Sequence, residues 1–486
     1  MTKESSMTRY DLVVLGSGPA GRRAAIQASK LGRSVLVVDD RAQIGGVSVH
    51  TGTVPSKTLR ETALNLSGWR ERGFYGQAYR VKRDIRAEDL TARISTTLKH
   101  EVDVLELQFA RNGVRVAKGV GRFADPHRIT ITHSENGSTS EETVYGEHIL
   151  IAVGTAPYRP DTVAFDDRHI LDSDAFIRTP RLPRSLAVVG AGVIGIEYAT
   201  IMSALDIPVT IIEPRDTILD FIDSEITDYL LHQLRDRGIS VRLGVSVESV
   251  KLEKGVVRAT TSDGRVIASD MLLYAAGRIG ATSDLGLEHC GLAADARGKL
   301  RVDVKTMQTP VPHIYAAGDV IGFPSLASTS MEQGRIAACH AFGAPLPKGS
   351  EMFPFGIYAV PEISSVGMTE AAATAAGIQY EVGVARLRET SRGHIMGVGG
   401  GLLKMIFSLA DRRLLGVHII GEGATELIHI GQAVANLGGT LDYFIEHTFN
   451  YPTLAEAYKI AALDAWNRMP AKVRDAAPVT RLRKAA

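Results

Sequence analysis

Cysteine is almost missing from this chain. The 486 residues contain two, Cys290 and Cys339, in neither a metal-ligand nor a redox spacing. A disulfide-stapled secreted scaffold is therefore excluded, no metal is expected, and a reducing cytoplasmic location is the expectation. Net charge is missing too: 55 Lys and Arg against 54 Asp and Glu leave +1, so no nucleic acid partner is expected. Long apolar runs are absent. The most membrane-like stretch, 186–205, is broken by Glu197 and several glycines, short of the roughly 20 apolar residues that a span requires. Residues 1–10 show no charged start followed by an apolar middle, so neither a signal peptide nor a membrane partner is expected.

Glycine is plentiful, with 48 residues, and its placement carries information. A chain of this length exceeds the roughly 250–300 residues that one core supports, so several domains are expected. An apolar strand over 11–15 runs into Gly16-Ser-Gly18-Pro-Ala-Gly21, then a helix over 22–31 and a strand over 34–38 closed by Asp39. In that context Gly16 permits a tight turn, Gly18 a close approach to pyrophosphate, and Gly21 close helix–strand packing. Free N–H groups at the helix start receive phosphates, and Asp39 can accept bonds from a ribose. The pattern repeats: a strand over 186–189, Gly190-Ala-Gly192-Val193-Ile-Gly195, a helix to 205, a strand over 209–212, and Glu213. Two such units imply two nucleotide sites. Glu213 would bond the ribose of NAD and repel a 2′-phosphate, while Arg215 could turn toward that phosphate.

Between and after these units, 87–110 shows apolar residues at three- and four-residue steps and predicts a helix. Strands are expected over 114–123, 129–133, 149–154, 271–275, 314–318, 402–407 and 414–420, and helices over 58–69, 331–340 and 424–437. The tail after Pro470 is rich in Ala and Arg and reads as a solvated end.

With these residues located, the chain resembles the two-dinucleotide-binding-domain flavoprotein reductases, the group of lipoamide dehydrogenase and glutathione reductase. The resemblance rests on both glycine units, Gly45-Gly46 through Pro55-Ser56-Lys57, Gly277-Arg278, Tyr315-Ala-Ala-Gly-Asp319 and Pro452-Thr-Leu-Ala-Glu456. It implies an α/β chain of two Rossmann-like dinucleotide-binding domains and a C-terminal α+β dimerisation domain. On that basis FAD falls to residues 1–157 with 279–350, NAD(P) to 158–278, the interface of a homodimer to 351–470, and a flexible tail to 471–486. The implied FAD contacts are Gly16, Gly18, Gly21, Asp39, Gly46, Lys57, Gly121, Gly154, Gly318, Asp319 and Ala327. Those for NAD or NADP are Gly190, Gly192, Val193, Gly195, Glu213, Arg215 and Gly277. Lys57 matches the lysine beside the flavin, paired with a glutamate, here Glu197.

Two departures matter. The family pattern Gly-Gly-x-Cys-x-x-x-x-Cys-x-Pro-Ser-Lys carries a redox disulfide, but here its cysteine positions hold Ser48 and Thr53. The family's His-Pro-Thr histidine, oriented by a glutamate matching Glu456, is replaced by Tyr451, whose ordinary pKa of about 10 suits proton transfer poorly near neutrality. His447 reads as a surface histidine. This joint loss, with the segments 320–328, 361–367 and 449–453, resembles the branch of soluble pyridine nucleotide transhydrogenases. The implied activity is hydride exchange between NAD(H) and NADP(H) through FAD in a ping-pong cycle, without thiols. A reductase of quinones or dyes is the alternative, and a non-catalytic relative of lipoamide dehydrogenase is a third reading. Cys290 and Cys339 read as small packing residues.

Overall fold

The computed structural model describes residues 7–135, 137–346 and 352–475. The strand Arg9–Leu15 lies at the heart of a mixed seven-stranded sheet, flanked by parallel Val35–Asp39 on one side and Ser138–Ile151 on the other. All five residues of Val35–Asp39 are buried, as expected for a parallel strand covered on both faces. The long strand Ser138–Ile151 does two jobs. Its first half forms an antiparallel hairpin with Arg128–Glu135, and its second half pairs in parallel with both Arg9–Leu15 and Ile314–Ala316. A distant segment thus completes the first sheet.

The helix Pro19–Lys30 begins three residues earlier than the sequence pattern suggested, because Gly18 is its N-cap and Pro19 fits the first helical position. Its buried face is Ala20, Gly21, Ala24, Ala25 and Ala28, all small, so the helix Ala327–Ala341 packs closely on it. A Cβ at Gly334 would fall 2.1 Å from the Ala20 carbonyl oxygen. The expected helix over 87–110 is Ala87–Arg111, with Leu90, Ile94, Val102, Leu105 and Phe109 buried along one stripe. The strand expected over 114–123 is instead two, Arg115–Lys118 and Val120–Phe123. They part at Gly119, where a Cβ would meet the Thr132 carbonyl oxygen at 2.7 Å.

The second sheet is all parallel, in the order Ser240–Leu243, Val209–Glu213, Leu186–Val189, Met271–Tyr274, Ile170–Asp172. The helix Val193–Ala204 is buried nearly all round, Glu197 included. A carboxylate in such a place requires a cationic partner. The chain's two passages between the sheets, Thr155–Pro157 and Arg278–Gly280, pair with each other antiparallel. Beyond them lies an antiparallel five-stranded sheet from Phe355–Ile357 to Leu414–Ile420, backed by the helices Ala424–Asn436 and Glu456–Arg468. The overall architecture is the α/β chain with a C-terminal α+β unit that the sequence predicted. A small antiparallel sheet of Val247–Glu253, Val256–Thr261 and Val266–Ser269, and the helix Ser224–Asp236, are elements not expected from the sequence. The expected flexible tail from 471 instead opens as a helical turn, Ala471–Arg474. Arg412 Nη1 donates to the carbonyls of Val473 and Arg474 there, and residues 476–486 lie outside the described residues.

One buried cation ties the C-terminal sheet to the second sheet's helix Ser224–Asp236. Lys404 Nζ lies 2.8 Å from Asp223, the N-cap of that helix, 2.9 Å from Glu225 and 2.8 Å from Glu370. Burial opposes the charge on both Lys404 and Asp223. At Lys404 the hydrogen bonds to Asp223, Glu370 and Glu225 together outweigh it and raise the pKa, and at Asp223 those from Lys404 and the Glu370 N–H, with the neighbouring positive charge, together lower it. The Asp223 contribution to stability is therefore present above its unfolded pKa of about 4 and fades as pH falls through the lower folded value. The Lys404 contribution holds below about 10 and fades only as pH rises through its raised value. Lys404→Met should leave Asp223 buried and unpaired, at a cost of about 3–5 kcal/mol, and flatten the alkaline limb of the stability–pH curve. Chemical denaturation across pH would show it. An unchanged midpoint would mean that the three carboxylates do not depend on the lysine.

Candidate active site

The two glycine units adopt the same geometry. Gly16 and Gly190 have φ of +101° and +103°, accessible mainly to glycine, and donate their N–H groups to the carbonyls of Val38 and Ile212. A Cβ at Gly21 would stand 1.9 Å from the Gly16 oxygen, and one at Gly195 2.0 Å from the Gly190 oxygen. Each helix is thus pressed onto its own loop. A Cβ at Gly18 or Gly192 would meet nothing within 4 Å, which leaves the backbone open to a ligand.

The acidic residues that close the following strands hold these loops in shape. Asp39 Oδ2 accepts from the Ser17 N–H at 2.7 Å and from Ser17 Oγ at 2.5 Å, and Ser17 Oγ in turn accepts from the Gly45 N–H at 2.8 Å. Glu213 Oε2 accepts from the Ala191 N–H at 2.6 Å, the same bond one unit later. Burial pushes the Glu213 pKa up, but the Arg215 guanidinium and the amides of Ala191 and Arg215 outweigh it and hold the carboxyl below its ordinary value. Ser17, the middle residue of the first Gly-Ser-Gly, was not singled out from sequence. A short hydroxyl between the glycines was the available signal.

A cavity of about 550 Å³ opens over the first unit. Gly16, Gly18, Asp39, Gly46, Gly121, Gly154, Gly318, Asp319 and Ala327 all line it, gathered from positions more than 300 apart, while Gly21 sits behind Gly16. Gly46, at φ +61°, brings its backbone onto Gly18, where a Cβ would be 2.7 Å from the Gly18 Cα. Burial raises the Asp319 pKa against the opposing pull of Arg278 and Lys299. Arg278 anchors the site's far wall. It donates through Nε to Thr155 Oγ1 at 2.9 Å and through Nη1 to Asp174 Oδ1 at 3.1 Å, and Asp174 also accepts from Thr51 Oγ1 at 3.0 Å. No periodicity or motif marks Thr51, Thr155 or Asp174 in the sequence.

Lys57 stands beside this cavity, in a second one of about 370 Å³ that also touches Thr53, Glu61, Arg93 and Tyr358. Its Nζ donates to both oxygens of Glu197, at 2.9 and 2.8 Å, and lies 4.9 Å from the centroid of the Tyr358 ring. Glu197 Oε1 also accepts from the Tyr358 N–H at 2.9 Å. Three separate stretches therefore converge on one buried ion pair. Thr53 lines both cavities.

Residues 10–334 match the sequence family described as pyridine nucleotide-disulphide oxidoreductase, and residues 353–462 match its dimerisation domain. The chain belongs to the pyridine nucleotide-disulphide oxidoreductases. That family binds FAD and NAD(P). A Mycobacterium tuberculosis protein named soluble pyridine nucleotide transhydrogenase is 50% identical over 465 residues, covering 96% of this chain and 99% of its own. Its namesake from Hahella chejuensis is 41% identical over 464 residues, covering 95% and 99%. Among solved structures, LpdA from Mycobacterium tuberculosis aligns with a TM-score of 0.84 at 28% identity, covering 94% of this chain and 99% of that one. The HOCl-induced flavoprotein disulfide reductase RclA from Escherichia coli aligns at 0.83 and 25%, covering 93% and 99%.

Within this oxidoreductase chain the place of the family's disulfide is chemically bare. Ser48, in the short helix Gly46–His50, donates its hydroxyl to the Gly45 carbonyl at 3.0 Å, and Thr53 opens the next helix, Thr53–Ser67. Neither hydroxyl can store electrons. Tyr451 is 68% exposed, and its hydroxyl meets Ser391 Oγ at 2.6 Å. Glu456 Oε2 is buried and finds no hydrogen-bond partner among the described residues. Within one chain, then, neither Tyr451 nor Glu456 lines either of these cavities. His447 is exposed and stacks on Tyr443.

The two cysteines are free and buried, Cys290 within an apolar cluster and Cys339 on the helix Ala327–Ala341. Burial pushes the Cys290 thiol up to about 11 and also raises that of Cys339, so neither supplies a thiolate near neutrality. Cys290→Ser with Cys339→Ser should leave the oxidoreductase rate largely intact in a steady-state assay. A collapse would reveal a dithiol that this geometry does not contain.

Proposed function

We propose that this chain exchanges hydride between NAD(H) and NADP(H) as a flavoprotein transhydrogenase, matching the names of its relatives. One observation carries the reading. Both nucleotide cradles and the Lys57–Glu197 pair are intact, whereas the adjoining disulfide positions hold Ser48 and Thr53. When bound, FAD supplies two-electron chemistry between one nucleotide and the next. Gly16, Gly18 and Gly46 present backbone to its pyrophosphate, Asp39 serves its ribose, and Asp319 and Gly318 close the far side. Ala327, at the start of its helix, completes the cavity with Gly121 and Gly154.

Lys57 supplies a fixed positive charge that Glu197 orients, ready before reaction and worth more in a desolvated site than in water. Gly190, Gly192, Val193, Gly195 and Gly277 receive the nicotinamide nucleotides in turn, so reduced and oxidised nucleotides share one site in a ping-pong cycle. Residues 1–157 with 279–350 act as the FAD unit, 158–278 as the NAD(P) unit and 351–470 as the interface of a homodimer. In that dimer Tyr451 and Glu456 would face the partner's cavity. A cytoplasmic location accords with two free, buried cysteines. Among the described residues no helix is long and apolar enough to cross a membrane.

The test is anaerobic reduction with NADPH followed by NAD⁺. Bleaching and then recovery of the flavin absorbance is expected, and recovery with oxygen but not with NAD⁺ would refute the reading. The cavity beyond Thr53 supports a second reading, reduction of a quinone or dye. Reduction of a quinone by NADPH without reduction of thionicotinamide NAD⁺, on one preparation, would favour it.

A further inference from the structure

At the end of the strand Val209–Glu213, three charges form a closed set. Glu213 is buried. Its Oε1 accepts from the Arg215 N–H at 3.1 Å and Arg215 Nε at 2.8 Å, and its Oε2 from the Ala191 N–H at 2.6 Å and Arg215 Nη2 at 3.2 Å. An ionised carboxylate has about four acceptor positions, so protein donors occupy all of them. A ribose hydroxyl can reach Glu213 only if a donor withdraws. The backbone amides cannot withdraw easily, because the Glu213 and Arg215 carbonyls are pinned by the N–H groups of Val245 and Gly244. The guanidinium can move, and Nη2 makes the longest of the four bonds.

A second anchor awaits it. Arg215 Nη1 lies 2.7 Å from Asp220 Oδ2, and the Asp220 side chain is 51% exposed against 3% for Glu213. The loop that carries Asp220 is fixed by Leu219, fully buried, whose N–H donates to the Ala191 carbonyl at 3.3 Å. Asp220 therefore occupies, from the solvent side, a place on Arg215 that an incoming anion would want.

We propose that Asp220 sets nucleotide choice by acting as an internal stand-in for the 2′-phosphate of NADP. With NAD, Arg215 gives up Glu213 and rests on Asp220, freeing Glu213 for the ribose diol. With NADP, Arg215 stays against Glu213, neutralises it, and exchanges Asp220 for the phosphate. Asp220 is exposed and rehydrates at little cost, whereas the acceptor positions of Glu213 stay filled in both states, by the guanidinium or by the ribose diol, beside the amides of Ala191 and Arg215. Each nucleotide thus displaces Arg215 from a different carboxylate, and one site can serve both. This inference rests on the dual-nucleotide reading above.

The test is calorimetric titration of the flavin-loaded, full-length protein with adenosine 2′,5′-bisphosphate and with AMP, comparing wild type with Asp220→Asn. Removing an exposed competitor should tighten the bisphosphate about two- to fivefold and leave AMP unchanged or weaker. Arg215→Met should abolish the preference, and Asp220→Asn added to it should change nothing further. Equal shifts for both probes, or none, would overturn the proposal. The ratio of two probes on one preparation is insensitive to partial misfolding. Absence of hydride transfer from NADPH to thionicotinamide NAD⁺ in the wild type would defeat the transhydrogenase reading while leaving this ratio measurable.

Discussion

Lys57→Met should slow flavin reduction by either nucleotide about 10²- to 10³-fold, the usual loss when one preorganised charge or donor leaves an active site. It should also destabilise the protein. Glu197 is 4% exposed, and without Lys57 it keeps, among the described residues, only the Tyr358 N–H, so a buried carboxylate is stranded at a cost of about 3 kcal/mol or more. The two effects can be separated. In Lys57→Met with Glu197→Leu, both members of the pair become apolar, and stability should return toward wild type because no charge is left unpaired. The rate should not return. Thermal denaturation and single-turnover flavin reduction on the same preparations give the two readouts. If the double variant regained the rate with the stability, the pair would be a structural tie between the helices Thr53–Ser67 and Val193–Ala204. If Lys57→Met with bound flavin were reduced at the wild-type rate, Lys57 would have no part in transfer.

What could be read from sequence follows the range of the interactions. Each glycine loop is encoded within about 30 consecutive residues: strand, turn, helix, strand, acid. Its geometry is a local consequence of chain stereochemistry and was legible. The helix Ala87–Arg111 was legible because one face meets water, so burial imposed a period. The helix Val193–Ala204 is buried nearly all round and has no such period, and it was placed only by the loop before it. The Lys57–Glu197 pair joins residues 140 positions apart, and only the resemblance suggested it. Nothing foretold Tyr358, whose N–H completes the Glu197 shell from a third stretch, or the bonds from Thr51 and Arg278 that meet on Asp174. Contacts of that kind leave no periodic trace because each uses a single residue from each segment. The small sheet spanning 247–269 was missed for another reason: only Val256–Thr261 alternates in burial, while its neighbours Val247–Glu253 and Val266–Ser269 bury one residue each and carry too few core positions to show a period.

Gly21→Ala and Gly195→Ala should separate the two nucleotide sites. Both glycines have ordinary φ, so the backbone itself would accept alanine. The obstacle is proximity: the new methyl would lie 1.9 Å from the Gly16 oxygen in one case and 2.0 Å from the Gly190 oxygen in the other. Neither oxygen can yield alone, since Gly16 and Gly190 are bonded through their N–H groups to the neighbouring strands. Each helix must therefore lift from its loop, carrying away the N–H groups at its start that the proposed function assigns to the phosphates. Overpacking of this kind costs about 1–3 kcal/mol, which as lost affinity is roughly a five- to 150-fold weakening. Gly21→Ala is expected to purify with little flavin. Gly195→Ala should keep its flavin spectrum while KM for both NADH and NADPH rises about tenfold or more. Gly18→Ala and Gly192→Ala serve as controls, because a methyl there meets no protein atom within 4 Å and should leave folding unaffected while intruding where a phosphate approaches. Flavin content by absorbance and KM by steady-state kinetics decide the matter. Loss of flavin in Gly195→Ala with retention in Gly21→Ala would reverse the assignment of the two loops. An unchanged KM in Gly195→Ala would remove the second loop from the nucleotide site altogether.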